Sequence, residues 1–151
     1  MLRGLLDWHR STLLLKCAGL SGEQLAQASI AQSNLSLLGL IRHLAKVERI
    51  WFRRRFRAEQ IDNLYSTPDR PDADFTDGDP ARAEVDYARL LTEQEMARQA
   101  VAGASLDVTF AGSDGEEMSL RLVFNHMIAE YARHNGHADL LRQCVDGVTG
   151  A

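Results

Sequence analysis

The stretch Leu37-Leu-Gly-Leu-Ile-Arg-His43-Leu-Ala-Lys-Val-Glu48-Arg-Ile-Trp51-Phe52 decides the reading of the fold. Leu37, Leu40, Ile41, Leu44, Val47, Ile50 and Trp51 recur at intervals of three and four, which places them on one face of an α-helix. The pattern predicts a helix over 34–57. Arg53, Arg54, Arg55 and Arg57 crowd its C-terminal end, where cations complement the helix dipole. His43 lies on the line Leu40–His43–Val47–Trp51 and is expected to face inward.

Upstream, Leu2, Leu5, Leu6, Leu13, Leu14 and Cys17 predict a first helix over 2–18, punctuated by Gly19 and Gly22. Ser21-Gly-Glu-Gln-Leu25 reads as a short capped turn. Downstream, residues 62–80 hold all three prolines (Pro68, Pro71, Pro80) and a cluster of aspartates, the composition of a long loop. Asp79-Pro80 is a good N-cap and N1 pair, from which a third helix should run to about Val101. Leu106, Val108 and Phe110 alternate like a short extended segment, and Gly112-Ser-Asp-Gly115 marks a turn. Ser119 to Val145 reads as a fourth helix, with Leu120, Val123, Phe124, Met127, Tyr131, Ala138 and Leu141 on its apolar side. Four amphipathic helices in one domain of 151 residues imply an all-α four-helix bundle spanning 1–151.

Composition narrows the function classes. A hydrophobic fraction of 45% with 25% charged residues is that of an ordinary soluble globule. The formal net charge of −4 opposes nucleic-acid binding, which draws most of its affinity from phosphate contacts. No apolar run approaches the ~20 residues of a membrane span. The N-terminus lacks the unbroken apolar core of a signal peptide, so a cytoplasmic protein is expected. Cys17 and Cys144 form no CxxC and read as small buried apolar residues of a reducing compartment. Asp72-x-Asp74-x-Thr76-Asp77-Gly78-Asp79 resembles a calcium loop, but its glycine falls one place late and Ala83 stands where the bidentate acid belongs. It reads as solvated loop. No Gly-rich phosphate loop, GxSxG elbow or nucleotide fingerprint occurs.

Ligand sites in helical bundles are built from side chains projecting inward from facing helices. On the fourth helix His126, Glu130, His134 and His137 follow at four, four and three, along one face bracketed by Val123 and Leu141. Glu130 and His134 at i, i+4 lie about 6 Å apart along the axis, from where both can reach one ion. A third ligand must come from another helix, and inward-facing His43 is the candidate. Two imidazoles and a carboxylate leave a coordination position open, as in catalytic zinc sites. Iron(II), nickel and manganese accept the same donors. The string also reads as histidines exposed near a helix C-terminus, where the dipole favours them.

The strings around these residues resemble a known family. Leu37–Phe52 resembles the second helix of DinB-like metal-binding proteins, in the branch of the mycothiol-dependent S-transferases and the metal-binding domain of mycothiol-dependent maleylpyruvate isomerase. His126-Met-Ile-Ala-Glu130-Tyr-Ala-Arg-His134-Asn-Gly-His137-Ala-Asp139-Leu-Leu-Arg142 resembles that branch's fourth helix, and Leu13–Leu25 fits the end of its first. The resemblance implies a four-helix bundle holding one divalent metal through His43, Glu130 and His134. It further implies a thiol S-transferase, with mycothiol, bacillithiol or glutathione as co-substrate and a small electrophile as acceptor. His137 or His126 would then orient a ligand or shuttle a proton, His137 being the first choice, whereas Glu48, Asp139 and Arg142 read as structural. The chain stops at 151, without the isomerase's C-terminal substrate domain, so the stand-alone form is expected and isomerase activity is not. The alternative is a metal-binding stress-response or thiol-sensing protein without chemistry. Bundles of this type often pair, which leaves a homodimer as an open expectation.

Overall fold

Residues 1–112 and 114–150 are described by a computed structural model of the chain. It begins with α1 (Leu2–Cys17) and the short α2 (Gly22–Ala26). A capping box starts α2: Ser21 Oγ accepts from the Gln24 amide, and Gln24 Oε1 accepts from the Ser21 amide. Then comes α3 (Leu37–Glu48), whose N-cap Ser36 accepts from the Gly39 amide at 3.0 Å. It continues directly into a π-helical segment, Arg49–Phe56. The short α4 (Ala73–Thr76) interrupts the expected loop. Asp79 caps a 3-10 turn over Pro80–Arg82 that leads into α5 (Ala83–Ala100). A two-stranded hairpin, β1 (Thr109–Ala111) with β2 (Glu117–Ser119), pairs Thr109 with Ser119 and Ala111 with Glu117. Ser113, part of the expected turn at 112–115, lies outside the described residues. Finally α6 (Leu120–Asp146) starts on the N-cap Ser119 and ends at Gly147, whose φ of 79° is cheap only for glycine.

The molecule is thus mostly helical, departing from an all-α chain in the two-stranded hairpin and an isolated bridge between Thr67 and Arg70. The four long helices share one core. α1 lies against α6, and α3 against both α5 and α6. Leu6 and Leu13, Leu37 to Ile41 with Leu44, Leu90 and Ala97, and Val123, Met127 and Tyr131 are buried within it. Leu5 is exposed, because its neighbour Leu6 takes the inward direction and adjacent residues of a helix face apart. No helix of the described residues is long and apolar enough to cross a membrane.

A buried polar network ties all four long helices together. Glu48, fully buried on α3, accepts from Arg10 of α1 through Nε at 2.8 Å and Nη2 at 2.7 Å. Glu48 also accepts from Tyr131 Oη of α6 at 2.8 Å, and that hydroxyl accepts from Gln94 Nε2 of α5 at 3.1 Å. Each member has a partner, so the charges are buried without an orphan. A second acid, Glu93, takes Arg49 at 2.6 Å and Arg53 at 3.1 Å. The run expected to serve a helix terminus is therefore split. Arg49 and Arg53, four residues apart in the π-helical segment, both reach inward to Glu93.

Candidate metal centre

His43 sits on the buried face of α3, one turn above the packed Leu40, and two groups fix its ring. Asp74 Oδ2 lies 2.8 Å from Nδ1, and the Phe75 ring stacks on the imidazole at 4.5 Å with an interplanar angle of 23°. An ionised carboxylate only accepts, so Nδ1 donates to Asp74 and Nε2 is the nitrogen turned toward α6. That atom is buried and has no hydrogen-bond partner. Glu130 Oε2 faces it at 3.5 Å, too far for a well-formed hydrogen bond.

From α6, His134 Nε2 approaches the same Glu130 oxygen at 3.5 Å. One donor atom from each of His43, Glu130 and His134 can be chosen so that all three lie within 4.8 Å of one another. Ligands about 2.1 Å from a tetrahedral ion stand about 3.4 Å apart; the two 3.5 Å separations to Glu130 Oε2 are near that spacing, while the set as a whole is bounded only by 4.8 Å. An unpartnered buried imidazole nitrogen, a carboxylate and a second imidazole are a donor set that suits a dication. Burial, the nearby His43 and His137 together push the His134 pKa down to about 4 against the opposing pull of Glu130. Its imidazole is therefore neutral at physiological pH, the form that binds metals.

The sequence model of the mycothiol-S-transferase family matches residues 1–147. The chain belongs to that family, a DinB-like one. No curated protein and no solved structure matches it. Within this S-transferase-family chain, His137 does not join the convergent set. Its Nδ1 lies 3.3 Å from His134 Nδ1, on the side of that ring away from Glu130. His126 stands at the other side of the glutamate, with Nε2 3.7 Å from Oε1 and its ring 4.1 Å from that of Trp51. Burial, with help from Arg55 and Arg133, lowers its pKa although Glu130 opposes this. Glu48 faces the Arg10–Tyr131 network and not the cluster. Arg142 Nη1 caps the end of α1 through the carbonyls of Lys16 and Ala18, while Asp139 pairs with Lys16.

Sequence reasoning missed Asp74. It stands in the stretch taken as a solvated loop, yet it is fully buried. Besides His43 it accepts from Ser66 Oγ at 3.0 Å and pairs with Lys46 Nζ at 2.6 Å. Burial alone would raise its pKa, but those hydrogen bonds and the lysine charge hold the carboxyl well below the usual carboxylate range. Its backbone is clamped by Arg42, which donates to the carbonyls of Ala73 and Asp74 at 3.0 Å each and pairs with Asp86 at 3.1 Å. The only signal in the sequence is the aspartate cluster, which does not say which member turns inward. The cysteines also divide. Cys17 is buried as expected, whereas Cys144 is exposed near the end of α6, on the outer side of a helix that buries Leu141.

Proposed function

We propose that this chain is a metal-dependent S-transferase that joins a low-molecular-weight thiol to an electrophile, and that its four long helices form the DinB-like four-helix bundle. His43, Glu130 and His134 would hold one divalent ion, zinc by preference, with nickel, iron(II) and manganese accepting the same donors. Mycothiol is the thiol its family membership favours; bacillithiol and glutathione are the other candidates. The observation that carries the reading is the buried, unpartnered Nε2 of His43 aimed at the oxygen that His134 also faces.

A bound dication supplies a lowered pKa for a coordinated thiol, so that the nucleophilic thiolate exists at neutral pH. The chain's own residues prepare for that. Asp74 keeps the His43 proton on Nδ1, as outer-shell carboxylates do for metal-binding imidazoles. His137 Nδ1 lies 3.3 Å from His134 Nδ1 and would orient that ring from its far side, which makes it a positioning residue. In the transfer the thiol sulfur bonds to the electrophilic carbon, and the leaving group departs with the electron pair of the bond that breaks. The thiol proton passes to water.

The test is chemical. Protein purified without a histidine tag should contain stoichiometric divalent metal and should conjugate mycothiol to 1-chloro-2,4-dinitrobenzene. His43→Ala should lose both metal and turnover. Metal-replete protein that turns over none of the three thiols overturns the transferase reading, and protein without stoichiometric metal overturns the metal reading.

A further inference from the structure

A basin of about 720 Å³ opens beside the π-helical segment, lined among others by Ile50, Arg54, Arg55, Glu59, Asp62 and Asn63. Its charges are unevenly matched. Glu59 is taken by Arg53 at 2.8 Å, and Arg54 donates to the neutral side chain of Asn63. Arg55 has no ion pair among the described residues. Its guanidinium instead lies over the Trp51 ring, 4.1 Å from the centroid. Trp51 in turn lies against His126 at 4.1 Å, and His126 Nε2 is 3.7 Å from Glu130 Oε1. An unbroken line of side chains therefore leads from the basin to the cluster of His43, Glu130 and His134.

A guanidinium resting on an aromatic face is held by cation–π attraction and offers its N–H edge outward. That edge matches a carboxylate in two parallel hydrogen bonds, and holding it in place beforehand removes part of the ordering cost of binding. We propose that Arg55 on Trp51 is an anion-recognition site that selects electrophiles carrying a carboxylate. The assignment rests on the transferase reading for its role, although the binding itself does not. The electrophile would lie with its carboxylate at Arg55 and its reactive carbon toward Glu130, along the Trp51–His126 surface.

Trp51 fluorescence, in a Trp8→Phe background, reads binding without turnover. Unreactive 3,5-dinitrobenzoate should quench it at a concentration about tenfold or more below 1,3-dinitrobenzene, the size of preference expected of a charge-assisted pair. Arg55→Gln should erase that preference, and Arg55→Lys, which keeps charge without the planar fork, should keep only part of it. Equal binding of the two probes to the parent protein overturns the proposal. So does a preference that survives Arg55→Gln but vanishes in His43→Ala, since the carboxylate would then be sitting at the central cluster. In turnover, Arg55→Gln should lower the kcat/KM ratio of 4-chloro-3,5-dinitrobenzoate to 1-chloro-2,4-dinitrobenzene about tenfold, mostly through KM. Arg55-dependent binding in a metal-replete protein that conjugates neither compound to any of the three thiols would sink the transferase reading and leave the anion site standing.

Discussion

Asp74 sends no atom into the central cluster, yet it decides which nitrogen of His43 faces that cluster. Its carboxylate takes the Nδ1 proton, and Lys46 and Ser66 hold the carboxylate in turn. Asp74→Asn keeps the size but lets the amide present either end to His43, and it leaves the Lys46 ammonium without its counter-charge. Metal affinity should fall roughly 10–100-fold, the cost of losing such an outer partner. Competition against a chelator of known affinity measures this, and an unchanged constant would remove Asp74 from the site. The two thiols make a second test. Burial pushes the Cys17 pKa up to about 12, so at about pH 8 it is almost wholly protonated and also shielded. A disulfide reagent such as Ellman's should titrate Cys144 alone in native protein, and both thiols in denaturant.

The junction of α3 with α4 brings that aspartate within reach. Gly39, one turn before His43, lies tight against α4: a Cβ there would stand 3.2 Å from the Phe75 carbonyl oxygen and 3.3 Å from its Cα. Both are backbone atoms, so α4 would have to shift by a few tenths of an ångström. Gly39→Ala should therefore cost about 1–3 kcal/mol of stability through overpacking, despite alanine's better helix propensity. It should also weaken metal binding, because the displaced segment carries Asp74. Urea denaturation and metal titration check the two effects together, and a stabilised variant with full affinity would show that α4 moves freely. The π-helical turns that follow α3 matter for a different reason. Along them Arg49 and Arg53, four apart, share the side that meets buried Glu93, while Arg55 lies on Trp51, four residues before it.

The Arg10–Glu48–Tyr131–Gln94 network joins α1, α3, α6 and α5 at one buried point. Taking the charge from one partner of such a pair strands the other in a low-dielectric interior. Glu48→Gln should lose about 3–5 kcal/mol, a large share of the roughly 5–15 kcal/mol that holds a domain together. The denaturant midpoint measures it, with Leu90→Ala as a comparison for simple loss of core volume. A change under about 1 kcal/mol would mean that the network serves register more than stability.

Periodicity made the helices legible: the apolar recurrence in Leu37–Trp51 and Leu120–Leu141 is a local property of the chain, as are the caps at Ser21, Ser119 and Gly147. The same local geometry aligned His126, Glu130, His134 and His137 on one face and pointed His43 inward. Spacing and the family resemblance named His43, Glu130 and His134 as one set, but not the geometry of their meeting. Sequence spacing says nothing of how α3 crosses α6, so the convergence on Glu130 Oε2, and the exclusion of His137 from it, depend on packing between helices. Asp74 was beyond reach for the same reason, since a loop without periodicity carries no record of the side it buries. The amino-acid order by itself determined the elements and the face each one shows. Tertiary structure alone decided which faces touch, because hydrophobic burial sets inter-helix distances that no i, i+4 rule contains.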